Sequence, residues 1–377
     1  MKKSPEIRIA VSCGILPRLI FLVGLCIFCC GLTYADSIPR KTPYVGVRAH
    51  YGFIIQHAGK VQAVSGSLPR RYELDLGWHL ASAKAWKYCN CYPRAGLMLN
   101  SYDFDSPEVL GKGYGFVPYI EPFLSAEKTF SVSLKAGVGV VYLDNSYHPQ
   151  KNPENHFYST DISFVLLANA AANYRITPDL NLRLSANYNH ISNGSIKQPN
   201  KGINFPTASL GVDYSFNYQG FPEREKEAFQ PEAKHNSRVR ISPFFTFKEA
   251  QKSDERQFAV VGLSTKYSRF VSWMNAFTAG LDWVWDESLK EKIRTHNLKN
   301  TAHNRIAITA GHELHIGKIN FYQQMGVYIF VPYKAMDPVY QRYGLEYSFG
   351  QYIAAGVNLK AHRHVADFLD FRISLSL

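Results

Sequence analysis

Beyond residue 35 the sequence holds no apolar run of the roughly 20 residues that a membrane-crossing helix needs. Of its six cysteines only Cys89 and Cys91 lie past that point, too few by themselves for a structural zinc site. One residue apart on a strand, their Cα atoms would stand about 6.5–7 Å from each other, at the limit of disulfide geometry. They read as an incidental pair near a loop. Gly137-Val-Gly139 lacks the third glycine of a phosphate loop. His312-Glu-Leu-His315 misses the zinc-protease spacing, and on a strand its two histidines would point to opposite faces. Neither a Gly-x-Ser-x-Gly nucleophile elbow nor a nucleic-acid-binding motif occurs. No cofactor, no metal and no nucleic-acid partner is expected.

The first 35 residues stand apart. Lys2, Lys3, Arg8 and Arg18 precede an apolar stretch over 19–32, and Thr33-Tyr34-Ala35 offers small residues before Asp36. This is the pattern of a secretory signal peptide cleaved near Ala35, its apolar stretch being short for a spanning helix. Cys26, Cys29 and Cys30 invite a lipoprotein reading, but none sits in a convincing lipobox. Without this segment 38 basic and 29 acidic residues remain, a net charge of +9 with histidines neutral. That surplus suits an anionic partner such as a phosphorylated lipid, and equally a solvated basic surface.

The remainder of the chain is strand after strand. Val45, Val47, Ala49, Tyr51 and Phe53 alternate with Gly46, Arg48, His50 and Gly52; Phe130, Val132, Leu134 and Ala136 alternate with Ser131, Ser133 and Lys135. Apolar residues at every second position mark a strand with one apolar and one wet face. Fifteen such stretches are legible, eight before residue 217 and seven after 237. Bacterial barrels carry even strand numbers, so the expectation is an all-β, antiparallel outer-membrane β-barrel of about 14 strands, within a range of about 8–16. Whether the later strands widen one ring or build a second sheet is open from the pattern alone. Charges such as Lys135, Arg183 and Asp213 on the wet face fit a hydrated lumen better than a dry sandwich core. The 24 tyrosines and 24 phenylalanines can furnish interfacial girdles, though a soluble sandwich would use them too. The organisation reads as a signal peptide over 1–35, barrel strands over 36–216, a polar connector over 217–236 and additional barrel strands over 237–377.

One hairpin carries chemistry. Leu182, Leu184, Ala186 and Tyr188 alternate with Arg183, Ser185, Asn187 and Asn189; after a turn rich in Gly, Pro and Asn, Ala208, Leu210, Val212, Tyr214 and Phe216 repeat the pattern. His190, Ser192 and Asn204 fall on the apolar parity, so three polar groups project from the outward face near the turn. The run His190-Ile-Ser192-Asn193, then Lys197-Gln-Pro199-Asn200 and Gly202-Ile, resembles the signature of the outer-membrane lipid A 3-O-deacylases, the PagL family. The close match spans residues 160–216 and extends loosely back to residue 42. That family carries a Ser-His-Glu triad on the outside of a small barrel and cleaves an acyl ester of lipopolysaccharide. Gapless matching puts its Glu at Asn204.

The resemblance implies catalytic roles for His190, Ser192 and Asn204, with Asn193, Gly194 and Asn200 as oxyanion donors and Lys197 and Lys201 near lipid A phosphates. Ser192 would attack the ester carbonyl while His190 takes its proton. An amide at position 204 can hold the histidine tautomer but stabilises an imidazolium less than a carboxylate does. Counting strands from a periplasmic start makes the one ending at His190 the seventh, which puts the turn at the outer leaflet, beside lipid A. Two other readings accompany this one: a catalytically silent barrel of the same family, and a channel or transporter that uses a widened lumen.

Overall fold

The computed structural model describes residues 41–377 except 56–63, 65, 195, 219, 226–228, 230–235, 251–255, 299–300, 335–336 and 364. The leader expected over residues 1–35 lies outside the described residues. The alternation builds seventeen strands, all antiparallel to their neighbours. They close as two rings of eight, where the sequence pattern suggested a total of about 14.

The first ring comprises β1 (Lys41–Gly52), β2 (Arg70–Leu80), β3 (Arg94–Asp103), β4 (Lys112–Glu121), β5 (Phe123–Leu124) and β6 (Phe130–Leu143). It continues with β7 (Ile162–Arg175), β8 (Leu180–Ser192) and β9 (Ile203–Ser215). Pairing of β1 with β9 and of β4 with β6 closes it. The two-residue β5 extends β4 along β6 after Pro122, which has no N–H for the ladder. The strand ending at Ser192 is therefore the seventh of eight.

The second ring runs β10 (Ser237–Glu249), β11 (Gln257–Phe270), β12 (Asn275–Asp286), β13 (Asn304–Ile316) and β14 (Ile319–Phe330). It continues with β15 (Val339–Ser348), β16 (Ile353–His362) and β17 (Val365–Ser376), which pairs back to β10. Of these, β15 has no counterpart in the sequence reading. Its inward Tyr340 is as aromatic as its outward Tyr343, so the contrast between faces that marks a strand is weak there. Two short helices, α1 (Ala83–Cys89) and α2 (Glu287–Thr295), sit in the β2–β3 and β12–β13 connections.

Parity behaves as a barrel requires. Val47, Tyr51, Leu184, Leu210, Phe245, Phe277, Leu281 and Ile308 are exposed on the outside, while Arg48, Arg183, Asp213, Arg342 and Asp282 are buried inside. Inside, buried ion pairs cross the lumen. Arg48 bonds Glu73 at 2.7 Å, Asp75 at 2.8 Å and also Asp213; Arg94 reaches the other Asp213 oxygen, and Lys135 bonds Asp75. Arg183 pairs with Glu121. Beyond this ionic layer, Leu143, Phe157, Tyr158, Ile191, Ile203 and Phe205 form an apolar plug at the end that carries the β8–β9 turn. The second lumen is filled the same way, by Lys248 with Asp286 and Asp367, Arg342 with Asp282, and Arg240 with Glu346.

The opposite end is closed by the chain itself. Phe221, in the stretch read as a polar connector, stacks on Tyr92 and packs against His79, and Pro222 accepts the Tyr92 hydroxyl. Cys89 and Cys91 are no incidental pair: they form a disulfide with a Cα–Cα distance of 5.0 Å. The strand geometry assumed for them does not apply. Cys89 ends α1, and Asn90 turns left-handed at φ 49°, drawing the two residues together.

Removing one carboxylate from the ionic layer should be costly because, in a buried setting, Arg94 loses the carboxylate it bonds and Arg48 loses one of three. Asp213→Ala is expected to destabilise the barrel by about 3–5 kcal/mol, read as a lower urea midpoint for the unfolding of protein embedded in lipid vesicles. An unchanged midpoint would mean that Glu73 and Asp75, or water, satisfy the two guanidinium groups without Asp213.

Candidate active site

The β8–β9 hairpin sets His190 directly opposite Asn204, with Ile191 opposite Ile203 as the next pair. Directly opposed residues hold their Cβ atoms about 4.5–5.5 Å apart, so imidazole and amide meet without distortion. His190 Nδ1 lies 2.7 Å from Asn204 Oδ1. Ser192, two residues along the same strand and on the same face, brings its Oγ to 3.1 Å from His190 Nε2. One imidazole thus bridges the hydroxyl and the amide. When Nδ1–H donates to the amide oxygen, the lone pair of Nε2 faces the serine.

Tyr188 completes the arrangement. Two residues before His190 on the outward face, it donates its hydroxyl to the same Asn204 oxygen at 2.9 Å. Two donors converge on Oδ1, so the oxygen and not the NH₂ turns toward the imidazole. Sequence reasoning took Tyr188 only as an outward aromatic. The one signal available was its position two residues ahead of His190 on a shared face.

The wall behind the site is packed. Ile191, Ile203 and Phe205 are fully buried in the apolar plug, which anchors the ends of both strands. Two glycines then shape the turn. Gly202 adopts φ +66°, and a Cβ there would sit 2.7 Å from His190 Cε1, so a side chain would strain the backbone and displace the imidazole. Gly194 also has φ +66°.

The residues expected to bind an oxyanion separate into two kinds. The backbone N–H of Asn193 donates to Asn200 Oδ1 at 3.0 Å, and its Nδ2 donates to Ser159 Oγ at 3.1 Å and to the Lys197 carbonyl at 2.8 Å. Asn193 is therefore a brace within the loop, and its donors are taken, which corrects the donor role expected of it. Asn200 differs. With its oxygen held by Asn193, its Nδ2 is buried and bonds no group among the described residues. The N–H of Gly194 likewise donates to no described residue. Lys197 is exposed, with no carboxylate partner among the described residues, and Lys201 is half-buried with its N–H donated to the His156 carbonyl. Among the described residues no group of His, Cys, Asp and Glu has a metal-binding arrangement. His312 and His315 bond Asn275 and Glu313 respectively.

Two family models match the chain. That of the lipid A 3-O-deacylase (PagL) covers residues 70–213, and that of the acyloxyacyl hydrolase C-terminal domain (PagL_C) covers residues 237–377. No curated protein matches it. Among solved structures, the outer membrane enzyme PagL is similar at 15% identity and a TM-score of 0.32, over 44% of this chain and 97% of that one. Neisserial surface protein A is similar at 13% identity and a TM-score of 0.30, over 46% and 97%. A mutant porin of Rh. blastica is similar at 11% identity and a TM-score of 0.20, over 90% and 100%. The family matches take in both rings, and the chain belongs to the PagL family of lipid A 3-O-deacylases.

Proposed function

We propose that this chain is an outer-membrane serine esterase that removes an ester-linked acyl chain from lipid A. The observation that carries the reading is the bridge from Ser192 through His190 to Asn204 on the outward face of a barrel of this family. Ser192 Oγ attacks the ester carbonyl as its proton passes to His190 Nε2, forming the Oγ–C bond and a tetrahedral oxyanion. The imidazolium is held by the Asn204 oxygen. Collapse expels the sugar alkoxide, which takes the proton from Nε2, and water then releases the fatty acid by the same steps in reverse. Gly194 N–H and Asn200 Nδ2 are assigned as oxyanion donors, where fixed dipoles meet developing charge. Lys197 and Lys201 are assigned to lipid A phosphates.

The protein acts in this scheme after export and cleavage near Ala35, with the β8–β9 turn at the outer leaflet of the outer membrane. The ester arrives sideways from the membrane, so the outward placement of the three groups suits the substrate. The channel reading loses support from the lumens, which bonded ion pairs and apolar side chains fill. The silent-relative reading turns on Asn204, and the direction of its oxygen favours an active enzyme.

Ser192→Ala and His190→Ala are each expected to lower deacylation by at least about 10⁴-fold in folded protein, and the double variant little further, as measured by mass spectrometry of lipid A. Activity that survives in Ser192→Ala would place the nucleophile elsewhere.

Asn204→Ala should lose about tenfold or more, and Asn204→Glu should match or exceed wild type because a carboxylate holds the imidazolium better. An inert wild type that gains activity through Asn204→Glu would establish the silent relative instead. Tyr188→Phe removes one neutral hydrogen bond, a loss of about 1 kcal/mol. The expected result is a kcat about fivefold lower with KM unchanged.

A further inference from the structure

The loop that continues from Ser192 does not end on its own barrel. Three alternate residues of it bond the second ring. The Gly194 carbonyl accepts from the backbone N–H of Leu369 in β17 at 3.2 Å. The Ile196 carbonyl accepts from Gln257 Nε2 in β11 at 3.1 Å. The N–H of Gln198 donates to Glu249 Oε2 at the end of β10, also at 3.1 Å. The strands β17, β10 and β11 are consecutive neighbours in the second ring, so one patch of its wall makes all three bonds. Contact is close as well as polar. A Cβ on Gly194 would lie 2.9 Å from the Leu369 Cβ, so the loop passes this wall with no room for a side chain.

These bonds fall on the segment that carries the oxyanion donors. Asn193 is tied to Ser159 and Asn200 from within the first barrel, and Asn200 is oriented through the Asn193 N–H. Gly194, Ile196 and Gln198 are tied from the other side by the second barrel. The loop is therefore stretched between two supports, and the direction of the Gly194 N–H depends on both. A closed eight-stranded ring supplies only the first support.

We propose that the second barrel is part of the catalytic apparatus, holding the 193–198 loop so that the oxyanion donors face Ser192, with Glu249, Gln257 and Leu369 as positioning residues. This rests on the esterase reading above. None of the three touches the reacting atoms; each acts through the loop. A displacement of about 1 Å at donors of this kind can cost about 100-fold in rate, whereas substrate binding, made largely by lipid contacts with the barrel wall, is left alone.

The test uses the full-length protein in detergent micelles with purified lipid A, together with a fluorophosphonate that phosphonylates an activated serine and whose tetrahedral adduct needs the same donors. Glu249→Ala and Gln257→Ala, singly and combined, should lower kcat by about 10- to 100-fold with KM within about twofold. The labelling rate of Ser192 should fall in parallel. Glu249→Gln keeps an oxygen that can accept from the Gln198 N–H and should stay within about threefold of wild type, a rescue that mere loss of folding would not produce. Heat-modifiable migration in gels checks that each variant is folded. Variants as active and as readily labelled as an active wild type overturn the inference and leave the esterase reading standing. Loss confined to KM also overturns it, since it would assign the second barrel to substrate binding. A wild type that neither hydrolyses lipid A nor labels at Ser192 overturns the esterase reading itself, and this inference with it.

Discussion

Everything about this protein depends on one constraint, the two-residue period of a strand within a ring that has no free edge. Every backbone polar group within the ring is used by a neighbouring strand, so each side chain goes either fully inward or fully outward. Inward positions meet a confined lumen and outward positions meet lipid. A polar residue on the outward parity cannot be accommodated by a small shift, because a one-residue slip would reverse every other side chain on the strand. His190, Ser192 and Asn204 are therefore held outside by the same register that holds Arg183 and Asp213 inside.

The two lumens show how charge is tolerated in such a place. Arg48, Arg94, Lys135 and Arg183 are each matched to carboxylates inside the ring, Arg48 and Lys135 to more than one. Pairs of this kind contribute little net stability against a well-packed apolar interior, because desolvation offsets most of the attraction. Their effect is directional: the pairs of Arg94 with Asp213, Lys135 with Asp75 and Arg183 with Glu121 join strands that are not neighbours and so resist shear of the barrel. The apolar plug behind Ile191 and Ile203 does the same for the end that carries the hairpin. His190, Ser192 and Asn204 thus stand on a wall that is rigid from the inside, with His190 and Asn204 half-buried and Ser192 buried on its outer side.

Much of this was legible in the residues. Alternation found fifteen of the sixteen ring strands, counting β4 with its extension β5, and it put His190, Ser192 and Asn204 on one face. It failed where contrast between the faces is weak, at β15, whose inward Tyr340 looks like an outward residue. It failed at Cys89 and Cys91 because a helix end and a left-handed Asn90, rather than a strand, separate them. It left the pairing of the lumen charges open because charge of both signs on one face says nothing of whether those charges meet.

The sequence alone determined the class of fold, the outward parity of the three polar groups and the family signature, since each depends only on residue type and spacing along one strand or turn. Tertiary structure decided the rest, because the rest depends on distances between residues remote in the chain. The closure of seventeen strands into two rings depends on the pairing of β1 with β9 and of β10 with β17. The direction of the Asn204 oxygen depends on a Tyr188 hydroxyl from across the hairpin. The bracing of Asn193 depends on Ser159, 34 positions earlier. No local pattern encodes such contacts; they exist only once the rings have closed.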